Sequence, residues 1–152
     1  METGLLHLHS FLRWVILLLL LVAILRSAMN INGIFTSGDR KIGLFLMITC
    51  DIMLLIGLYQ WFTGPWGMKA IESNGMKGAM ADAGTRFFAV EHFVGMLLAI
   101  ILVHIGKSWA KKQVPDSTKH RRTLLFYTLA LVIILISIPW PFREVGATRG
   151  WF

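Results

Sequence analysis

Leu5–Leu25 reads LLHLHSFLRWVILLLLLVAIL, an apolar run of about the ~20 residues that a helix needs to cross a bilayer. Three more runs of similar length follow at Ile42–Phe62, Phe87–Ile105 and Thr123–Phe142. Each is continuous, whereas a membrane β-barrel would alternate apolar and polar residues in segments of about ten. Helices are therefore predicted over about 4–27, 42–62, 87–109 and 122–139. The chain has 152 residues, 56% of them hydrophobic, so these runs leave little but short connectors. Mean hydropathy is +0.67, which excludes an ordinary soluble domain. The fold class read from this pattern is all-α: a polytopic membrane protein with a single domain, an antiparallel four-helix transmembrane bundle. In that topology helices 1 and 3 run parallel across the diagonal. Neighbours packed ~8–10 Å apart leave a wider gap there, enough for a flat ligand.

The formal charge of +7 does not imply nucleic-acid binding, because the basic residues flank apolar spans and build no folded basic face. They sort by side. Arg26, Arg40, Lys41, Lys107, Lys111, Lys112, Lys119, Arg121 and Arg122 share one end of the bundle. Arg13, Lys69, Lys77, Arg86, Arg143 and Arg149 share the other. The denser side is expected in the cytoplasm, with both termini outside. Trp14–Leu25 has the length of a signal-peptide core, but Arg26-Ser27-Ala28-Met29 is a poor cleavage site, so a helix is expected. The single cysteine, Cys50, allows neither an intrachain disulfide nor a thiolate cluster, and reads as a small buried residue.

Glycine, proline and asparagine mark the connectors. Asn30-Ile31-Asn32-Gly33 and Ser37-Gly38-Asp39 read as turns, and Thr63-Gly64-Pro65 ends the second helix. Residues 64–86 form the longest outer connector and are expected to include a short interfacial helix. Pro139-Trp140-Pro141 closes the fourth helix ahead of a short tail.

The outer end collects the chemistry. His9 stands at the mouth of the first span and His92 at the mouth of the third, about six residues or ~9 Å in. Histidines inside a membrane imply a binding or redox role by default. His7 lies two positions from His9 and so points away from it, toward headgroups or a partner. His9 shares its face with Arg13, Ile16 and Leu20. Gly95, Met96 and Ala99 follow His92 on one stripe, where small residues either leave room for a flat ligand or bring helices together. Arg13 and Arg86 are placed to neutralise an anionic ligand; the plainer reading is a salt bridge to Glu91 or snorkelling. Trp14, Trp61, Trp66, Trp140 and Trp151 gather at this end, as an aromatic belt or as a pocket wall, and only Trp109 serves the inner end.

Two polar residues lie deeper. Asp51, in the middle of helix 2, needs a proton, a partner or a water-filled cavity. His104 is ~18 Å from His92 along helix 3 and turned by ~120°. Asp51 and His104 are candidates for a proton-handling pair or a structural hydrogen bond, at depths that match imperfectly. His120 is the only other histidine near His104, and it falls in the basic connector.

The segments Leu8-His9-Ser10-Phe11-Leu12-Arg13-Trp14, Glu91-His92-Phe93, Val103-His104-Ile105-Gly106-Lys107, His120-Arg121-Arg122 and Ile138-Pro139-Trp140-Pro141-Phe142 resemble small four-helix membrane b-type cytochromes of bacteria. The architecture is similar to that of the cytochrome b561-like proteins. The resemblance implies one low-spin heme b with His9 and His92 as axial ligands, electron transfer without catalysis, and a redox partner protein or quinone. It also implies the bacterial inner membrane as location, with periplasmic termini. Such proteins usually carry four ligand histidines for two hemes, whereas helices 2 and 4 are read here as having none. Two other readings stand beside it. One is a copper-handling membrane protein using the histidines with methionines. The other is an accessory subunit of a larger respiratory complex, and a homo-oligomer is compatible with each. No nucleophile with a positioned base or phosphate-binding loop points to hydrolysis.

Overall fold

The computed structural model describes residues 2–147. Arg149 and Trp151, assigned above to the outer end, lie outside the described residues. The elements are α1 (Glu2–Met29), α2 (Ser37–Thr63), α3 (Met68–Ala81), α4 (Ala83–Arg86), a π-helical turn (Phe87–Glu91), α5 (His92–Ser108), a 3₁₀ turn (Trp109–Lys111), α6 (Asp116–Ser137) and a second 3₁₀ turn (Glu144–Gly146). No strand occurs among the described residues. Four helical stretches are long and apolar enough to span a membrane: Thr3–Met29, Ser37–Thr63, Ala83–Lys111 and Asp116–Ser137. The chain is a multi-pass membrane protein of the all-α class.

Around the bundle α1 packs on α2, α2 on α5, α5 on α6 and α6 on α1, which leaves α1 and α5 on one diagonal. The start of α1, the end of α2, the start of α5 and the end of α6 meet at the same end of the bundle. His9 lies beside Gly57, Trp61 beside Ala89, and His92 beside Ser137.

Hydropathy puts the second helix at residue 42 and the fourth at residue 122, and the structure begins both earlier. Ser37-Gly38-Asp39, read as a turn, is the first turn of α2. Thr36 caps it: its hydroxyl accepts from Asp39 N, and Asp39 Oδ2 accepts from Thr36 N at 2.9 Å. The same carboxylate meets Arg26 Nε at 2.8 Å and ties the end of α1 to the start of α2. At α6, Pro115 precedes Asp116, so a helix starts where hydropathy still reads a polar connector. His120 therefore lies on the fourth transmembrane helix, correcting the reading of that helix as free of histidine. It is fully buried, with Ser27 Oγ 3.3 Å from Nδ1 and Ile34 O 3.3 Å from Nε2. His104 has a different partner, Asp51. At its other end α6 stops at Ser137 rather than 139, because Pro139 holds Ile138 extended at φ −76°, ψ 132°.

Helices in lipid gain little from apolar burial against one another, so close packing carries the association. Small residues supply it here. Tyr127, buried, fits between α2 and α5. A Cβ on Gly43 would stand 2.9 Å from its hydroxyl, and one on Gly106 would stand 2.8 Å from its ring. Ala23, Ala99 and Ala130 are buried in the same core with Leu20, Leu46 and Val103.

The 64–86 connector contains the expected short helix. α3 covers it, kinked at Gly75, where φ is +70°. Asp82 then caps α4, its Oδ2 accepting Thr85 N–H at 2.8 Å. Bonds from the Thr85 side chain and backbone hold the Asp82 carboxyl below the usual carboxylate range.

Candidate functional site: two imidazoles at one end of the bundle

His92 comes directly after the π-helical turn, its N–H bonded to Phe87 O. Such wide turns inside helices are frequent at functional sites, because the extra residue rotates the next turn of the helix to a new direction. Trp61 Nε1–H, from α2, donates to Ala89 O at 3.0 Å within that turn, and its ring stacks on Phe93 at 5.1 Å. Phe87 and Phe88 lie at 6.0 and 6.5 Å from the His92 ring.

Nδ1 of His92 is 2.7 Å from the carbonyl oxygen of Ser137. A carbonyl can only accept, so Nδ1 carries the proton and Nε2 keeps the lone pair. The acceptor is available for a covalent reason. In a continuing helix the carbonyl of Ser137 would take the N–H of residue 141, and Pro141 has none. Pro139 frees Leu135 O in the same way, and Trp140 Nε1–H takes it at 3.0 Å. Arg143 satisfies Ile136 O and Ile138 O at 2.6 and 3.1 Å.

His9 comes from the first turns of α1 and lies against Gly57, whose missing Cβ would stand 3.4 Å from His9 Cε1. The His9 and His92 ring centres are 6.4 Å apart with planes inclined by 54°. A histidine nitrogen ligates at about 2.0–2.1 Å and lies about 1.1 Å from its ring centre, so two imidazoles on opposite sides of one ion stand about 6.3 Å apart. The two separations agree.

Both rings line a cavity of about 450 Å³, within the ~300–1,000 Å³ range of cofactor pockets. Its wall is mainly apolar: Leu54, Leu58, Ile100, Ile134 and Ile138 with Trp61, Trp66, Phe88 and Phe93. Cys50, Met53, Met96 and Ala99 line its deeper part. Arg13 lies on the wall, one turn from His9, with its guanidinium 5.3 Å from the Trp14 ring centre and 6.0 Å from that of Trp140.

Two sequence candidates stand elsewhere. Arg86 does not line the cavity: its Nε is 2.8 Å from Glu91 Oε1, both side chains are partly exposed, and a terminal nitrogen donates to Met80 O at 3.2 Å. Gly95 does not line it either. A Cβ there would strike the Ser137 side chain, so Gly95 sets the α5–α6 contact that delivers the Ser137 carbonyl to His92. His7 is exposed. Asp51 and His104 are joined by a 2.7 Å bond from Nε2 to Oδ1, away from this cavity. The depth mismatch closes because both side chains lean toward the N-terminus of their own, oppositely directed helices.

Gly57, Ser137 and the π-turn are site features that hydropathy and residue spacing did not single out. Gly57 had a signal, as a helix-weakening residue in the middle of an otherwise apolar span. Ser137 had one too, four positions before a proline. The π-turn left no local mark. Among the described residues, no group of three or more His, Cys, Asp or Glu converges to hold a metal ion. No family model, curated protein or solved structure matches the chain.

Proposed function

We propose that this protein is a membrane b-type cytochrome that carries one heme b between α1 and α5, where His9 and His92 would hold its iron. The observation that carries the reading is the 6.4 Å separation of the two rings across an apolar cavity. Two imidazoles alone leave a bare ion short of donors, whereas a macrocycle brings four of its own.

When bound, heme supplies one-electron chemistry between ferric and ferrous iron. The chain's residues do the rest. The His92 Nδ1–H bond to Ser137 O fixes the ring's tautomer and orientation and makes Nε2 a better donor. Gly57 lets α2 close against His9. The aliphatic and aromatic wall gives the cavity a mainly apolar lining. Arg13 places a cation on that wall, suited to a propionate, and its charge favours the reduced centre.

The excess of cations on the Arg121 side supports an orientation with the histidine end outside, in a bacterial inner membrane, where electrons pass between a quinol and an extracytoplasmic partner. Met53 and Met96 on the same wall favour copper handling as the second reading.

Absorption spectra of the detergent-purified protein, oxidised and dithionite-reduced, with metal analysis on the same sample, test the proposal. A sharp reduced α-band is expected, lost in His9→Ala and in His92→Ala. A featureless spectrum from cells supplied with heme would sink it; bound copper would then favour metal handling, and no metal an accessory subunit.

A further inference from the structure

Asp51 and His104 form a polar pair deep within the described spans, and the pair is turned outward. Oδ1 and Nε2 are 2.7 Å apart, with 45% and 43% of the two side chains exposed. Their neighbours on the same surface are apolar and exposed as well: Ile48, Ile52 and Leu55 on α2, Ile101 and Ile105 on α5. Asp51 stands ten residues past Lys41 and twelve before Thr63, roughly 15–18 Å of helix from either end. A carboxylate on so short a side chain cannot reach the headgroups from there, as lysine and arginine do. Polar groups at this depth normally face the bundle interior or pair across helices. This pair faces out of the bundle that makes it.

The internal bond is only half of what these groups can make. Nδ1 of His104 and Oδ2 of Asp51 bond to no other described residue. With a proton on each ring nitrogen the pair is neutral overall and offers one donor and one acceptor on a single surface. A two-fold contact brings identical surfaces together, so a patch holding both a donor and its acceptor is complementary to itself.

We propose that the α2–α5 face is a dimerisation surface, on which a second copy of the chain covers the Asp51–His104 pair. Each Asp51 Oδ2 accepts the Nδ1–H of the other copy's His104, closing a ring of four groups inside the membrane. The aliphatic side chains around it pack against their counterparts. The inference is independent of what fills the outer cavity.

The test uses the full chain in phosphatidylcholine–phosphatidylglycerol vesicles over a range of protein-to-lipid ratios, with energy transfer between labelled copies giving the dimerisation constant. Replacing both groups (Asp51→Leu with His104→Leu) is expected to weaken the dimer by roughly tenfold to a few hundredfold. Exchanging them (Asp51→His with His104→Asp) is expected to restore it, with circular dichroism confirming helix content throughout. In a Cys50→Ala background, Ile101→Cys is expected to cross-link two copies, and Val132→Cys on α6 is not. A monomer at every ratio, a double-leucine variant that associates like the parent, cross-linking through Val132→Cys, or a different protein seated on this face would each overturn the proposal.

Discussion

His92 has two ring nitrogens, and the way another helix ends decides the use of one. α6 ends at Ser137, its carbonyl is left without a helical donor, Nδ1–H fills the gap, and Nε2 keeps the lone pair. On the other side, Gly57 holds space beside His9. Gly57→Leu is expected to abolish the heme band while far-UV circular dichroism stays helical, because the added side chain occupies the position of the imidazole. A retained α-band would remove Gly57 from the site. Arg13→Gln is expected to retain the band and lower the midpoint potential by on the order of tens of millivolts, since a cation near the iron favours the less positive state. A redox titration reads it. The histidines and Arg13 were legible in the sequence because charge and imidazole are conspicuous in an apolar run. Arg86 was equally conspicuous, yet Glu91, five residues on, holds it. Local spacing does not rank an ion pair against a ligand.

The elements show where hydropathy and helix formation part company. Hydropathy marks the bilayer, whereas caps mark the helix, so α2 begins at Thr36 with a capping box and α6 begins after Pro115. Thr36→Ala is expected to cost about 0.5–2 kcal/mol, the usual value of a lost N-cap. Reversible unfolding in mixed micelles measures it. Gly95→Leu is expected to cost more, about 1–3 kcal/mol for overpacking against Ser137, and to weaken heme binding through the His92 bond. Unfolding and heme titration of one variant separate the two effects. In the 64–86 connector, the Asp82 cap has a depressed carboxyl, so its contribution is complete above the unfolded value of about 3.9 and is lost as pH falls through the lower folded value. Trp66 fluorescence is therefore expected to be unchanged by this group between about pH 5 and 8; a transition there that disappears in Asp82→Asn would contradict the assignment.

At the scale of the molecule, four spans in a ring put α1 and α5 on a diagonal, and the diagonal is what makes an interhelical cavity. Short connectors impose this order on any antiparallel bundle, so the opposition of helices 1 and 3 could be read before the structure. The amino-acid sequence by itself determined the number of spans, their approximate limits, the end at which histidine and tryptophan collect, and the charge bias between the two sides. These follow from composition and from one-dimensional distance along a helix. Only the tertiary structure decided which polar groups meet: His92 with Ser137, His120 with Ser27, Asp51 with His104, and Trp61 with the π-turn. The reason is geometric. Rotation about a helix axis and the level at which two helices pass each other are set by small residues such as Gly43, Gly95 and Gly106 meeting large ones, and neither quantity exists until the helices pack.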